Sequence, residues 1–306
     1  MKKKLNFTFI GAGPTMEKHL LALKAIKKYN IELSGIYSRT YIKAKKLKKK
    51  YNILHVYKNI TDMFKKTNPD VVLLVVSVEN VKKILFKLVK FNCKIFVEKP
   101  VGINLIETLK IKNKIKTKIN DIYVGLNRLQ YSSTINLLRL IKKDNSKRII
   151  NIFDQQKFTE NIKLSKNLMF TNSIHLFCYC PLLARGNIIK IENILLEKKH
   201  IIKKIIYSSG DIIFFHSLWN KPGPWKIEIS TNNNYYKLSP LENLFVKKSN
   251  KLFFREVKMS NYDKKYKPGF KLQLEKFIEK TLNFDGKYNF DYYYNIVKLI
   301  NRYYQR

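Results

Sequence analysis

Cysteine is scarce. The chain of 306 residues holds only Cys93, Cys178 and Cys180, too few for a disulfide framework and without the partner ligands of a zinc site. No metal centre is expected, and Cys178-Tyr179-Cys180, set in an apolar stretch, reads as core. Long hydrophobic runs are missing too. The longest, Val71 to Val76, is far too short to span a bilayer, which excludes a helical membrane span. Met1-Lys2-Lys3-Lys4 imitates the basic start of a signal peptide, but only six residues separate it from Gly11, too few for the apolar core of one. The expected location is cytoplasmic.

Acid is scarce as well: Asp and Glu number 22 against 61 Lys and Arg, a formal net charge of +39. Such an excess invites a nucleic-acid reading, and the shortage of arginine argues against it. Arginine stands only at Arg39, Arg128, Arg139, Arg148, Arg185, Arg255, Arg302 and Arg306, and the other cationic side chains are lysine. Nucleic-acid binders concentrate their charge and use arginine for bidentate contacts. Here lysine is spread over nearly every expected helix. Lys, Asn, Ile, Tyr and Phe, all with AT-rich codons, are abundant together, so a base bias accounts for the lysines. No specific nucleic-acid partner is expected, only nonspecific attraction at low salt.

What is present begins with one strand and its turn. Leu5 to Ile10 is a short, mainly apolar run that leads into Gly11-Ala12-Gly13-Pro14-Thr15-Met16, after which Met16, Leu20 and Leu23 repeat at helical spacing. A strand, a glycine turn and an amphipathic helix suit a dinucleotide. Gly11 permits the turn, Gly13 lets the backbone approach a pyrophosphate, and the helix N-terminus offers N–H groups to it. Gly11, Ala12, Gly13, Thr15 and Met16 are the expected cofactor residues here. Met16 holds the place of a third glycine, which weakens the motif at its packing position and not at its phosphate-facing one. Taken alone, such a turn is also an ordinary βα connection.

Strand and helix signals alternate from there. Ile31 to Tyr37 reads as a second strand ending in Ser38-Arg39, Val71 to Val76 as a strand buried on both faces, and Lys94 to Val97 and Ile122 to Gly125 as two more. The expected fold is α/β: a doubly wound parallel Rossmann sheet over residues 1–127, with Ser77 and Glu98-Lys99-Pro100 beside Gly11 and Ser38 at its carboxyl edge. No acid follows the second strand to bind a ribose 2′-hydroxyl. Ser38 and Arg39, with Lys43 behind, suit NADP at least as well as NAD. The competing reading is a polar turn that caps the next helix.

Glu98-Lys99-Pro100, entered from a short strand and followed by Val101-Gly102, resembles the glucose–fructose oxidoreductase, inositol dehydrogenase and MocA (Gfo/Idh/MocA) family of NAD(P)-dependent enzymes. The likeness continues in order through Gly11, Gly13 and His19, then Tyr37-Ser38-Arg39, Asn68-Pro69-Asp70, and Gly125-Leu126-Asn127-Arg128. It reaches Asn172-Ser173-Ile174-His175 and Lys267-Pro268-Gly269-Phe270, and so spans nearly the whole chain. The resemblance implies that Lys99 holds a substrate oxygen beside the nicotinamide and stabilises its charge. It implies that His175 is the general acid–base, a role that an imidazole suits near neutral pH. On composition alone His175, a lone histidine in an apolar stretch from Asn167 to Leu183 that reads as one helix, would be core.

One position departs from the pattern. Family members carry Asp-x-x-x-His, and four residues before His175 stands Thr171. Asn172 and Arg128 are the expected substrate contacts. Residues 128–306 read as an α+β substrate and oligomerisation domain, with a large, mainly antiparallel open sheet whose hairpins turn at Ser208 to Asp211 and at Asn232 to Asn234. The resemblance implies a small-molecule sugar or nucleotide-sugar substrate, a homo-oligomer built on the outer face of that sheet, and a step in making surface polysaccharide. A dinucleotide-binding protein of the same fold with impaired catalysis is the alternative, motivated by Met16 and Thr171.

Overall fold

The computed structural model describes residues 4–157, 168–197, 200–283 and 289–305. They divide into two units: residues 1–126 with 270–298, and residues 127–269 with 299–306.

The first unit is a six-stranded parallel sheet in the order β3-β2-β1-β4-β5-β6. Its strands are β1 (Lys4–Ile10), β2 (Asn30–Tyr37), β3 (His55–Tyr57), β4 (Val71–Leu74), β5 (Lys94–Glu98) and β6 (Ile122–Gly125). Between them run α1 (Pro14–Lys24), α2 (Tyr41–Tyr51), α3 (Ile60–Thr67), α4 (Val78–Leu88) and α5 (Leu105–Lys114). Strand order reverses between β1 and β4, the position at which doubly wound sheets open a ligand crevice. Every residue of β4 is buried, as a parallel strand covered on both faces requires. The expected strand is shorter than its apolar run. Val75 leaves the β4–β5 ladder and its N–H donates to Ile10 O at 2.9 Å. Asn59 and Asn104 cap α3 and α5, each accepting at 2.8 Å from the N–H three residues on.

The later part of the chain contributes to this unit. Phe270–Asn283 is a helix whose Phe270, Leu274, Phe277 and Ile278 join Phe7, Phe9, Met16 and Phe96 in one buried cluster. Phe277 meets the rings of Phe96 and Tyr123, each at 5.5 Å. An unbroken second domain over 128–306 therefore differs from the observed partition. The reason is the apolar face of this helix, which finds its partners on α1 and on strands β5 and β6.

The second unit is an eight-stranded sheet in the order β14-β13-β12-β11-β7-β10-β9-β8. It comprises β7 (Ile149–Asp154), β8 (Ile188–Leu196), β9 (His200–Tyr207), β10 (Ile212–Leu218), β11 (Lys226–Ser230), β12 (Asn234–Leu238), β13 (Leu244–Lys248) and β14 (Arg255–Val257). Only β7 and β10 pair in parallel; the remaining pairs are antiparallel. Strands β7 and β9 to β12 alternate buried and half-buried residues, the pattern of a sheet with one face on the core. Cys178 and Cys180 are buried, as their apolar setting suggests. The stretch expected as one helix up to Leu183 is interrupted: Met169–Ser173 is a π-helical turn, followed by α-helical Ile174–Phe177 and Cys180–Leu183. Asn167, its expected start, lies outside the described residues.

Candidate functional site

In the first unit a cavity of about 460 Å³ opens at the carboxyl ends of β1, β2 and β4. Gly11, Ala12, Gly13, Thr15, Ser38, Arg39 and Ser77 line it, joined by Lys43 and Asn80. The two glycines have separate reasons to be there. Gly11 takes φ +110°, donates its N–H to Tyr37 O at 2.8 Å, and would drive a Cβ to 1.9 Å from Val75 O. Only glycine fits that backbone. Gly13 has an ordinary φ of −84° and a Cβ there would meet nothing within 4 Å. Its bare backbone faces open space at the N-cap of α1, where no side chain caps the helix and Pro14 opens the first turn. The N–H groups of a first turn have no intrahelical partners and favour an anion.

Charge around the cavity points the same way. No carboxylate is among its lining residues, while Arg39 and Lys43 are. Ser38 has a local role, since its Oγ accepts the Thr40 N–H at 3.2 Å just before α2. Ser77 precedes α4, and its Oγ accepts from Asn80 Nδ2 at 2.8 Å. Met16 does not line the cavity. Its side chain is fully buried in the core, so it offers a ligand only its backbone. The residues present fit a dinucleotide: a glycine cradle, a helix N-terminus and a cationic far end.

Glu98 and Lys99 are not among the lining residues of that cavity. The Glu98 carboxylate is paired with His19, Nε2 to Oε1 at 2.7 Å. His19 is fully buried, with its ring 4.4 Å from Phe270 and 5.2 Å from Phe96. Gly125 stands opposite Glu98 in the ladder, and a Cβ there would come 3.2 Å from Glu98 Oε1. Glycine at 125 and histidine at 19 thus make the socket for this carboxylate. Lys99 follows at the end of β5, half-buried, before a turn in which the Val101 N–H donates to Tyr293 Oη at 2.9 Å. The partner of Glu98 is a contact between residues 79 apart, which spacing does not reveal.

In the second unit Arg128 and His175 gather at Trp225. The Arg128 guanidinium lies 4.1 Å from the indole centroid, a cation–π contact, and the ring of His175, a buried residue, lies 6.2 Å from it. Thr171 and Asn172 sit half-buried in the π-helical turn before His175. Beneath them is a polar group the sequence reading missed: Asp154, Gln156 and Ser173, all buried, with Asn172 Nδ2 donating to Gln156 Oε1 at 2.5 Å. Its sequence signal is slight, an acid and two glutamines closing an apolar strand. Two motifs also interlock here. Asn127 Nδ2 donates to Pro268 O at 3.1 Å, and Gly269, at φ +76°, packs so close that a Cβ would stand 2.1 Å from Asn127 O.

A parallel sheet with this reversal, glycine turn and anion-ready helix defines a dinucleotide-binding Rossmann domain. Residues 5–126 match the model of the GFO_IDH_MocA family, an oxidoreductase family with an NAD-binding Rossmann fold. Among curated proteins none matches. Among solved structures, a dehydrogenase from Chromobacterium violaceum aligns with a TM-score of 0.82 at 13% identity, over 99% of this chain and 94% of that one. UDP-N-acetylglucosamine 3-dehydrogenase from Acidithiobacillus ferrooxidans gives 0.77 at 12%, over 98% and 97%. Levoglucosan dehydrogenase in complex with NADH and L-sorbose gives 0.79 at 13%, over 98% and 95%. At these identities the likeness is one of fold. Among the described residues no helix is long and apolar enough to cross a membrane.

Proposed function

We propose that this NAD-binding oxidoreductase is an NAD(P)-dependent dehydrogenase or reductase acting on a CH–OH group of a sugar or nucleotide-linked sugar. The observation that carries the reading is the glycine-cradled, carboxylate-free cavity of the first unit in a chain that also holds Lys99 at the end of β5. Gly11 to Thr15 would hold the pyrophosphate, and Arg39 with Lys43 the far ribose. A bound nicotinamide supplies hydride transfer to or from carbon. Lys99 holds the reacting oxygen and stabilises charge on it. His175 moves the proton, while Arg128 and Asn172 bind the rest of the sugar. The arginine and lysine at the cavity favour NADP, because a 2′-phosphate there meets cations and no acid.

The solved relatives named for a nucleotide sugar and for an anhydrosugar support this substrate class. A role in making a modified surface sugar belongs to the same proposal. So do a cytoplasmic location, no specific nucleic-acid partner and a homo-oligomer. Thr171, where the resembled family's pattern has an aspartate, favours a second reading: a protein that binds the cofactor and turns over slowly or not at all. A screen of nucleotide sugars and polyols with NAD and NADP, followed by nicotinamide absorbance, separates the two. Turnover supports the enzyme. Bound cofactor without turnover across the panel supports the impaired protein.

A further inference from the structure

One buried carboxylate has no part in the proposed reaction. Asp154 ends β7 and is fully buried. Its Oδ2 accepts from Ser173 Oγ at 2.5 Å, Trp219 Nε1 at 3.1 Å and Gln156 Nε2 at 3.2 Å. Its Oδ1 has no hydrogen-bond partner among the described residues. Gln156 Nε2 also donates to Ser173 Oγ at 2.7 Å, and Gln156 Oε1 takes the Asn172 amide proton.

These bonds have a single consistent polarity. An ionised carboxylate only accepts. Ser173 therefore gives its proton to Asp154 and accepts from Gln156. Gln156 turns its NH₂ toward both, which leaves its carbonyl for Asn172. Asn172 answers with one N–H of its own NH₂, which turns its Oδ1 away from Gln156 as an acceptor. The oxygen and nitrogen of an amide are told apart by such networks, and here the carboxylate decides the direction.

We propose that Asp154 is a positioning residue that fixes Asn172 as a hydrogen-bond acceptor, so that this position selects a substrate hydroxyl over a carbonyl or ether oxygen. The inference rests on the proposed role of Asn172 toward substrate. A hydroxyl can donate to a fixed carbonyl; the other two groups have no proton to give. A neutral group at 154 could donate as well as accept, and the chain of amides could then run in either direction.

Burial pushes the Asp154 carboxyl up to about 6, opposed by its bonds from Ser173, Trp219 and Gln156 and by the positive Arg128. Tyr303 and Tyr304, near the end of the helix Phe290–Tyr304, also act on it, and burial raises both phenols, so they stay neutral. Near neutral pH Asp154 is ionised and the polarity is fixed. As pH falls through about 6 the proton returns and the constraint lapses.

The test uses the full chain without cofactor or substrate, labelled with ¹⁵N in Asn and Gln. The side-chain amide signals are assigned by their loss in Asn172→Asp and Gln156→Glu. Both signals should move together with one midpoint near pH 6 in the wild type and lose that midpoint in Asp154→Asn. Signals that stay flat from about pH 8 to 5 overturn the proposal, as does a midpoint that persists in Asp154→Asn. Should that variant fail to fold, the wild-type titration alone decides. For a sugar found in the screen, removing the hydroxyl at this position should lower kcat/KM by about tenfold or more in the wild type and by less in Asp154→Asn. Equal losses in the two proteins overturn the selectivity claim. A screen with no turnover sinks the dehydrogenase reading, whereas the titration judges the polarity of the amides by itself.

Discussion

Gly11 and Gly13 stand one residue apart and serve different ends. Gly11 is held by its φ and by the nearness of Val75 O, so a side chain there disturbs the fold. Gly13 has room for one, and only a ligand would feel it. Gly13→Val should therefore melt with the wild type yet lose NAD and NADP binding in a calorimetric titration. Unchanged affinity would remove the cofactor assignment from this turn. Arg39 is exposed at the cavity, and the proposed preference for NADP rests on it. A charge-assisted contact of this kind contributes about 1.5–3 kcal/mol, or roughly ten- to more than a hundredfold. Arg39→Ala should weaken NADP by that factor and leave NAD nearly alone. If NAD already binds more tightly, and the ratio ignores the substitution, the 2′-phosphate argument is wrong.

Helix Phe270–Asn283 shows what periodicity can and cannot tell. Phe270, Leu274, Phe277 and Ile278 mark an apolar face at helical spacing, so burial was legible. Its destination was not, because the partners are Phe96, Tyr123 and His19, far away in sequence. Leu274 is fully buried, and Leu274→Ala should lower stability by about 2–5 kcal/mol. Urea unfolding of the full chain measures it; a loss below about 1 kcal/mol would mean that this face is not core. The π-helical turn Met169–Ser173 is the opposite case. Hydrophobic spacing cannot register one extra residue in a turn, yet that turn accompanies Ser173 on Asp154 and Asn172 on Gln156.

For the molecule as an enzyme, the proposed reaction rests on Lys99 and His175, which belong to separate units. Replacing either, as Lys99→Met or His175→Ala, should lower turnover by roughly a hundredfold or more while NAD(P) affinity changes little. If neither substitution slows a substrate that the wild type turns over, both residues are structural. His175 is buried beside Trp225, so His175→Ala needs a melting curve alongside the kinetics to separate lost chemistry from lost packing.

Much was settled by the sequence alone. The alternation of apolar runs and helical spacing defined the parallel sheet, since a strand buried on both faces must be apolar throughout. Gly11 and Gly13 announced the turn, and the EKP stretch with Asn172 to His175 announced the family resemblance. Four matters waited for the tertiary structure: the His19 partner of Glu98, the return of residues 270–298 to the first unit, the meeting of Arg128 and His175 at Trp225, and the buried Asp154 network. Each depends on residues far apart in the chain meeting in space. Local spacing reports which face a side chain takes, but hydrogen-bond direction and burial of a charge are properties of the neighbours that folding brings to it.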